Sequence, residues 1–223
     1  MTSISKDDIQ DSKTSSWDFG NQILYDLCRD NFEHKKNGRI LAKVLFIGRI
    51  YAAAVERRKV KDEYISDNFY FEVVGPTLMA SDIDERLARL KSYRTLTKNI
   101  IPEILATHNS IVKMFNGPTG LKKRSFSSKY LHFHLPNLFF IYDSRAERAL
   151  RQISRHVPKA LKHFKKIPNT DDEYARFFCK CLDMKRQIEQ QHNAQISIRQ
   201  FDNLLINWAN RMEVEKRKAS KAN

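Results

Sequence analysis

The sequence predicts a single domain built from α-helices. Glycine and proline, which interrupt helices, are scarce, with six of each in 223 residues. Apolar residues recur at helical spacing in most segments, and no segment sustains the alternation typical of a half-buried strand. A hydrophobic content of 41% is sufficient for a core. An all-α fold without internal repeats is therefore expected.

Four helices are predicted in the first half of the chain. The first covers residues 17–31 and the second residues 39–59. The second helix has one apolar face, made by Leu41, Val44, Leu45, Gly48, Tyr51, Ala52 and Val55. The aromatic segment 64–79 favours a helix stopped by Gly75-Pro76, with a short strand as the alternative. Ser81 and the acidic residues after it predict a helix over 81–91.

Five helices are predicted in the second half. The first spans residues 97–115, with Pro102 in its first turn, and ends before the break Asn116-Gly117-Pro118-Thr119-Gly120. A short helix over 125–135 follows, and Pro136-Asn137 separates it from an apolar connection that leads to Asp143. The remaining helices are expected from Asp143 or Ser144 to residue 156, over 171–191 and over 197–214.

Both ends of the chain are polar. Residues 1–16 and the basic segment 215–223 are expected to be disordered tails on a domain of residues 17–214. No apolar run reaches the roughly 18 residues of a membrane span, and the N-terminus lacks the apolar stretch of a signal peptide. Three cysteines argue against a disulfide framework. These observations predict a cytoplasmic protein that does not contact a membrane.

A net charge of +14 is the strongest global indication of a partner. Such a charge concentrates polyanions at the protein surface, and phosphate neutralisation dominates nucleic-acid affinity. Residues 151–166 are dense in lysine, arginine and histidine and contain no acid. This run is either a solvated face or a patch for a nucleic-acid backbone. An acidic protein or an anionic membrane surface would also fit the charge.

Residues 116–148 combine several features that bear on chemistry. Glycines near the break, Gly117 and Gly120, would let the backbone approach a phosphate, and the three bases that follow would strengthen that contact; they are Lys122, Lys123 and Arg124. Asp143 follows an aromatic-apolar run, where a partly desolvated carboxylate can act as a base or stabilise positive charge. The same aspartate is also a good N-cap, and one residue can fill both roles.

The layout resembles the helix-hairpin-helix DNA glycosylase superfamily, in particular the relatives of 8-oxoguanine DNA glycosylase. The segments that carry this resemblance are SFSSKYLHFHLP, FFIYDSRAERAL and ISIRQFDNLLINWAN. It implies two helical lobes around a cleft, a hairpin near residues 115–124, and binding of duplex DNA with extrusion of a modified base. The N-glycosidic bond of that base would then be cleaved, with an accompanying lyase step if a nucleophilic lysine is present.

The resemblance also implies roles for individual residues. Asp143 would be the catalytic aspartate, but the family's usual spacing places the lysine at Ser125 or Arg124. Lys123 and Lys129 are therefore the alternatives for the nucleophile. Hairpin backbone amides would hold phosphates with the three bases and Arg145. The expected base pocket comprises Tyr130, Tyr142, His134 and Arg49.

Each expected pocket residue has a second interpretation. The tyrosines can belong to the core, and Arg49 can pair with Glu56 on an otherwise apolar helix. Two other functions also fit the sequence: a DNA-binding module that has lost catalysis, and a helical interaction subunit of a bacterial anti-phage defence operon. No cofactor or metal signature is present, so a metal-free protein is expected.

Overall fold

Helices make up all the regular secondary structure in the part of the chain that the computed structural model describes, residues 4–57, 68–154 and 156–222. The prediction of an all-α protein is therefore confirmed. The helices are α1 (Lys6–Asp11), α2 (Asp18–Asp30), α3 (Asn37–Ile50), α4 (Gly75–Met79), α5 (Ile83–Lys91), α6 (Ile101–Thr119), α7 (Arg124–His134), α8 (Ser144–Ile153), α9 (Asp172–His192) and α10 (Ile198–Ala222). None of these described helices is long and apolar enough to cross a membrane.

The centre of the molecule is α7, which packs against α2, α3 and α6. Every residue from Phe126 to His134 is buried, including the polar ones. The connection that follows α7 is buried as well, from Leu138 to Ile141. It delivers Asp143 to the first turn of α8, which packs against α10. The fold therefore fixes α7, the start of α8 and α10 relative to one another.

Residues 6–11 form helix α1, although residues 1–16 were predicted to be a disordered tail; residues 1–3 of that tail lie outside the described residues. Ser5 and Asp8 form a reciprocal capping box that begins α1, in which each side chain accepts the backbone N–H of the other residue. Ile4 and Ile9 are buried in the core cluster. Asp8 also pairs with Arg211 of α10 at 2.6 Å. Ile4 and Ile9 are therefore enough to dock this otherwise polar segment on the core.

The other predicted tail, residues 215–223, is helical up to Ala222, where α10 ends, and residue 223 lies outside the described residues. Its side chains from Glu213 to Ser220 are exposed. Arg217 pairs with Glu213 one turn earlier, at 2.7 Å. Such pairs stabilise an exposed helix, so the basic end is a solvated extension of α10.

The predicted hairpin over residues 115–124 is replaced by a helix end. Helix α6 runs through Gly117 and Pro118 to Thr119, and Gly120 ends it in the left-handed conformation with φ 68°. The Gly120 N–H donates to the Asn116 carbonyl at 2.9 Å, closing the last turn. Proline removes only one helical hydrogen bond here, so the helix continues until glycine can reverse the chain.

Two other helix boundaries differ from the predictions. Helix α3 ends at Ile50, because Ala52 adopts φ 51°, and the predicted end at Lys59 lies outside the described residues. Gly75-Pro76 does not stop a helix: a π-helical turn over Tyr70–Val74 runs directly into α4. Proline fits the first turn of a helix, where its missing N–H is not needed.

Candidate active site

A cleft of about 560 Å³ lies where the N-terminal segment, the end of α3, α7, the start of α8 and α10 meet. Its apolar walls include Trp17, Tyr51, Phe133, Ile141 and Ile206. Polar groups enter it from α7, α8 and α10. This volume falls within the roughly 300–1,000 Å³ of small-molecule sites, which are also mostly apolar with a few convergent polar groups.

Lys129 and Asp143 form an ion pair in the cleft, with 3.1 Å between Nζ and Oδ2. Asp143 is also the N-cap of α8, and its Oδ1 accepts the Arg145 backbone N–H at 2.9 Å. Oδ1 therefore caps the helix, and Oδ2 pairs with the lysine. Both interpretations of Asp143 that the sequence allowed are compatible with this geometry.

The Lys129 ammonium is held by three acceptors. Besides Asp143, its Nζ donates to the Ser125 hydroxyl at 3.0 Å and to the Tyr51 carbonyl at 3.2 Å. The residue is 5% exposed, so this amine is oriented and almost removed from bulk water. Lys123 differs, because its Nζ donates to the Arg57 carbonyl at 2.6 Å and it is not among the described residues that line the cleft. Of the two candidate lysines, only Lys129 meets Asp143.

The pKa of Asp143 lies below its usual value. Burial acts to raise this pKa, but the nearby Lys129 charge and the hydrogen bonds from Arg145 and Lys129 outweigh it. Asp143 is therefore ionised at neutral pH. An ionised carboxylate in a partly dry cleft can stabilise positive charge that develops on a bound molecule.

A second ion pair lies in the same cleft and was missed by the sequence reasoning. Arg199 and Asp202, three residues apart on α10, are joined by Nη1 and Oδ2 at 3.1 Å. Burial raises the pKa of Asp202 to about 6, although the Arg199 and Lys129 charges oppose this rise. The available signal was a polar stripe at helical spacing within ISIRQFDNLLINWAN, on a helix with a separate apolar face.

No family model, curated protein or solved structure matches the chain. Within the described residues, no group of three or more histidine, cysteine, aspartate or glutamate side chains is placed to hold a metal ion. The three cysteines, Cys28, Cys179 and Cys181, are buried free thiols.

The residues expected to form a base pocket do not line this cleft. Tyr130 and His134 are buried in a polar network of the core, in which the Tyr130 hydroxyl meets His34 Nε2 at 2.6 Å and Lys43 Nζ lies 3.0 Å from His134 Nε2. Both side chains point away because α7 is buried on all its faces. The structure therefore places these two expected pocket residues in the core and not in the lining of this cleft.

Tyr142 and Arg49 are also absent from the described lining of the cleft. The Tyr142 hydroxyl donates to the Glu173 carboxylate on α9, and the Tyr142 ring packs edge-on against Phe177. Arg49 is exposed in the last turn of α3. The aromatic surfaces of the cleft come instead from Trp17, Tyr51 and Phe133.

The predicted phosphate contacts are dispersed. Gly117 lies within α6 and Gly120 ends it, so they do not form a hairpin with free amides. Arg124 pairs with Asp171 at 2.6 Å and with Glu173 at 2.8 Å, and Lys122 lies 3.9 Å from Asp171. These acids pair with Arg124 and Lys122, two of the three bases that were expected to bind phosphate, and the third base, Lys123, donates to the Arg57 carbonyl. Arg145, in contrast, lines the cleft and donates to the Asn210 side chain.

Proposed function

We propose that this chain is a DNA glycosylase related to the helix-hairpin-helix superfamily, with two helical lobes around the cleft and the end of α6 in place of the hairpin. The observation that carries the proposal is the Lys129–Asp143 pair in a cleft of about 560 Å³ with aromatic walls. Enzymes that act on a base take it out of the stack and hold it between aromatic or apolar side chains. Trp17, Tyr51 and Phe133 provide such surfaces.

The proposed reaction breaks the C1′–N bond of a modified nucleotide. The base leaves with the bonding electrons and takes up a proton, and positive charge develops on the sugar. The Asp143 carboxylate stabilises this charge. Water then attacks C1′ and loses a proton, which leaves an abasic site. If the Lys129 amine attacks C1′ instead, it must first lose a proton, and an imine with the opened sugar follows.

Affinity for DNA is supported by charge. The chain carries a net charge of +14, and the 3₁₀ helix Lys159–Lys166 contributes a run of exposed bases without an acid: Lys159, Lys162, His163 and Lys166. Phosphate contacts by such side chains position DNA without reading its sequence. Binding should therefore weaken steeply as salt increases.

A DNA-binding module without catalysis is the second candidate. It is favoured by the three hydrogen bonds that occupy the Lys129 amine, because an ammonium fixed in this way is not a nucleophile. In that function the cleft would hold an extruded base and release it unchanged.

Excision from duplexes that carry oxidised, alkylated, deaminated or hypermodified bases tests the proposal. Asp143→Asn should reduce single-turnover excision about 100-fold or more, because it removes the charge that stabilises the sugar cation. Asp171→Asn is a matched control: Asp171 is a buried N-cap aspartate that pairs with an arginine, and it is not among the described residues lining the cleft. Equal losses in both variants would show a structural effect and contradict the catalytic role.

Borohydride trapping distinguishes attack on the sugar by the Lys129 amine from attack by water. A covalent DNA adduct that disappears in Lys129→Gln would establish the lyase step. Lys180→Gln is the control, since Lys180 is also a buried lysine bonded to a backbone carbonyl, that of Ser154, at 2.7 Å. Tight, salt-sensitive binding with no excision across the panel would favour the non-catalytic module.

A further inference from the structure

The guanidinium of Arg199 is held in one orientation by a chain of hydrogen bonds. Its Nε donates to the Tyr25 hydroxyl at 3.1 Å, and that hydroxyl lies 2.7 Å from His132 Nε2. His132 Nδ1 in turn lies 2.9 Å from the Phe139 carbonyl. Burial lowers the pKa of His132 well below its usual value, so the ring is neutral. Its single proton then sits on Nδ1, and its Nε2 accepts from Tyr25.

These hydrogen bonds leave one nitrogen of Arg199, Nη2, without a partner among the described residues. Nη1 is taken by Asp202, whereas Nη2 is buried and has no hydrogen-bond acceptor among the described residues. The guanidinium carbon lies 5.1 Å from the Phe133 ring centre, and Phe133 also lines the cleft. A buried donor without an acceptor costs free energy, so a ligand that supplies an acceptor is favoured there.

The charge around Arg199 indicates what kind of acceptor fits. Asp202 balances Arg199, and Asp143 balances Lys129, so the two pairs carry no net charge together. A phosphate placed there would meet two carboxylates, whereas a neutral carbonyl would meet an oriented donor. A neutral, planar ligand with a carbonyl oxygen is therefore favoured over a phosphate.

We propose that Arg199 recognises the extruded base by donating from Nη2 to a carbonyl oxygen on its edge. Asp202, three residues further along α10 and paired with Arg199, accepts the neighbouring ring N–H of the same base. Tyr25 and His132 act as positioning residues for Arg199. The expected substrates are bases in which a ring N–H stands beside a carbonyl. This inference rests on the proposed function, because it assumes that a base enters the cleft.

Equilibrium binding of duplexes that cannot be cleaved tests base recognition by Arg199 separately from cleavage of the N-glycosidic bond. Each duplex carries a 2′-fluoro nucleotide, whose fluorine destabilises the sugar cation, with either hypoxanthine or unsubstituted purine as the base. These two bases differ by the carbonyl oxygen and the ring N–H. The wild type should bind the hypoxanthine duplex about 10- to 100-fold more tightly, the range expected for a hydrogen bond to a charged group.

Arg199→Lys should reduce this preference to less than about threefold while leaving the affinity for a duplex with an abasic analogue unchanged. Arg124→Lys is the matched control, since Arg124 also pairs with an aspartate but does not line the cleft among the described residues, and it should keep the preference. Tyr25→Phe keeps the Arg199–Asp202 pair and removes the bonds of the Tyr25 hydroxyl to Arg199 Nε and to His132 Nε2. It should weaken the preference partly, which covers the case in which Arg199→Lys does not fold.

The outcomes separate this inference from the proposed function. A carbonyl preference that depends on Arg199, without excision of any base, would support the readout and overturn the glycosylase. Excision with equal binding of hypoxanthine and purine by the wild type would overturn the readout alone. An equal loss for base-containing and abasic duplexes in Arg199→Lys would show that Arg199 contacts the DNA backbone, and would also overturn it.

Discussion

Asp202→Asn should change how the stability of the protein depends on pH. Burial raises the pKa of Asp202 from 3.8 to about 6 in the folded protein, so the folded state binds the proton more tightly than the unfolded state. A pKa difference of that size corresponds to about 3 kcal/mol. Because the folded-state pKa is the higher one, the group makes no contribution below pH 3.8 and destabilises the fold as pH rises towards 6 and above.

The contribution of Asp202 can be measured by comparing how the free energy of unfolding depends on pH in the wild type and in Asp202→Asn. Urea unfolding of the wild type and of Asp202→Asn, at intervals from pH 3.5 to 7.5, gives the free energy of unfolding of each. The variant has an offset of its own, since Arg199 loses its partner, but asparagine does not titrate. The wild type should therefore lose about 3 kcal/mol relative to the variant across this range. Parallel profiles would show that Asp202 titrates normally and would refute the reasoning.

Two further substitutions test how α6 ends and how α1 docks. Gly120→Ala should lower the free energy of unfolding by about 1–2 kcal/mol, because Gly120 has φ 68° and a side chain strains that conformation; an unchanged urea midpoint would contradict this. Ile9→Ala should cost about 2 kcal/mol by leaving a cavity under α1, and it should make the bond after Lys13 more sensitive to trypsin. If Ile9→Ala leaves both stability and the cleavage rate unaltered, α1 does not dock as described.

The order and extent of most helices could be predicted because their signals are local. Asp143 reads as an N-cap from the residues next to it, and it caps α8. The errors arise where a distant contact outweighs a local preference. Residues 4–11 look like a polar tail, yet Ile4 and Ile9 find a place in the core. Gly117-Pro118 looks like a break, yet α6 continues until Gly120 ends it.

The candidate site was predicted only in part, for a related reason. Lys129 was named as a candidate, but a sequence does not show that its amine reaches Asp143, 14 residues further on. Tyr130 lies next to Lys129 in the sequence and points into the core instead. Arg199 and Asp202 were missed because polar residues at helical spacing usually indicate a solvated face. Only the packing of α10 against α8 and α1 reveals that this face is enclosed.

Because the N-terminal segment docks on α10, the cleft can close only after α10 has been synthesised. Gln200 and Asn203 donate to the carbonyls of Ile9 and Ser12, at 3.1 and 3.0 Å, so contacts across 191 positions complete one wall of the cleft. A ribosome makes the first partner 191 residues before the second. While the nascent chain is growing, Ile4 and Ile9 have no α10 to pack against. The cleft is therefore closed only after α10 has left the exit tunnel, and a chain stalled before residue 198 has no binding site.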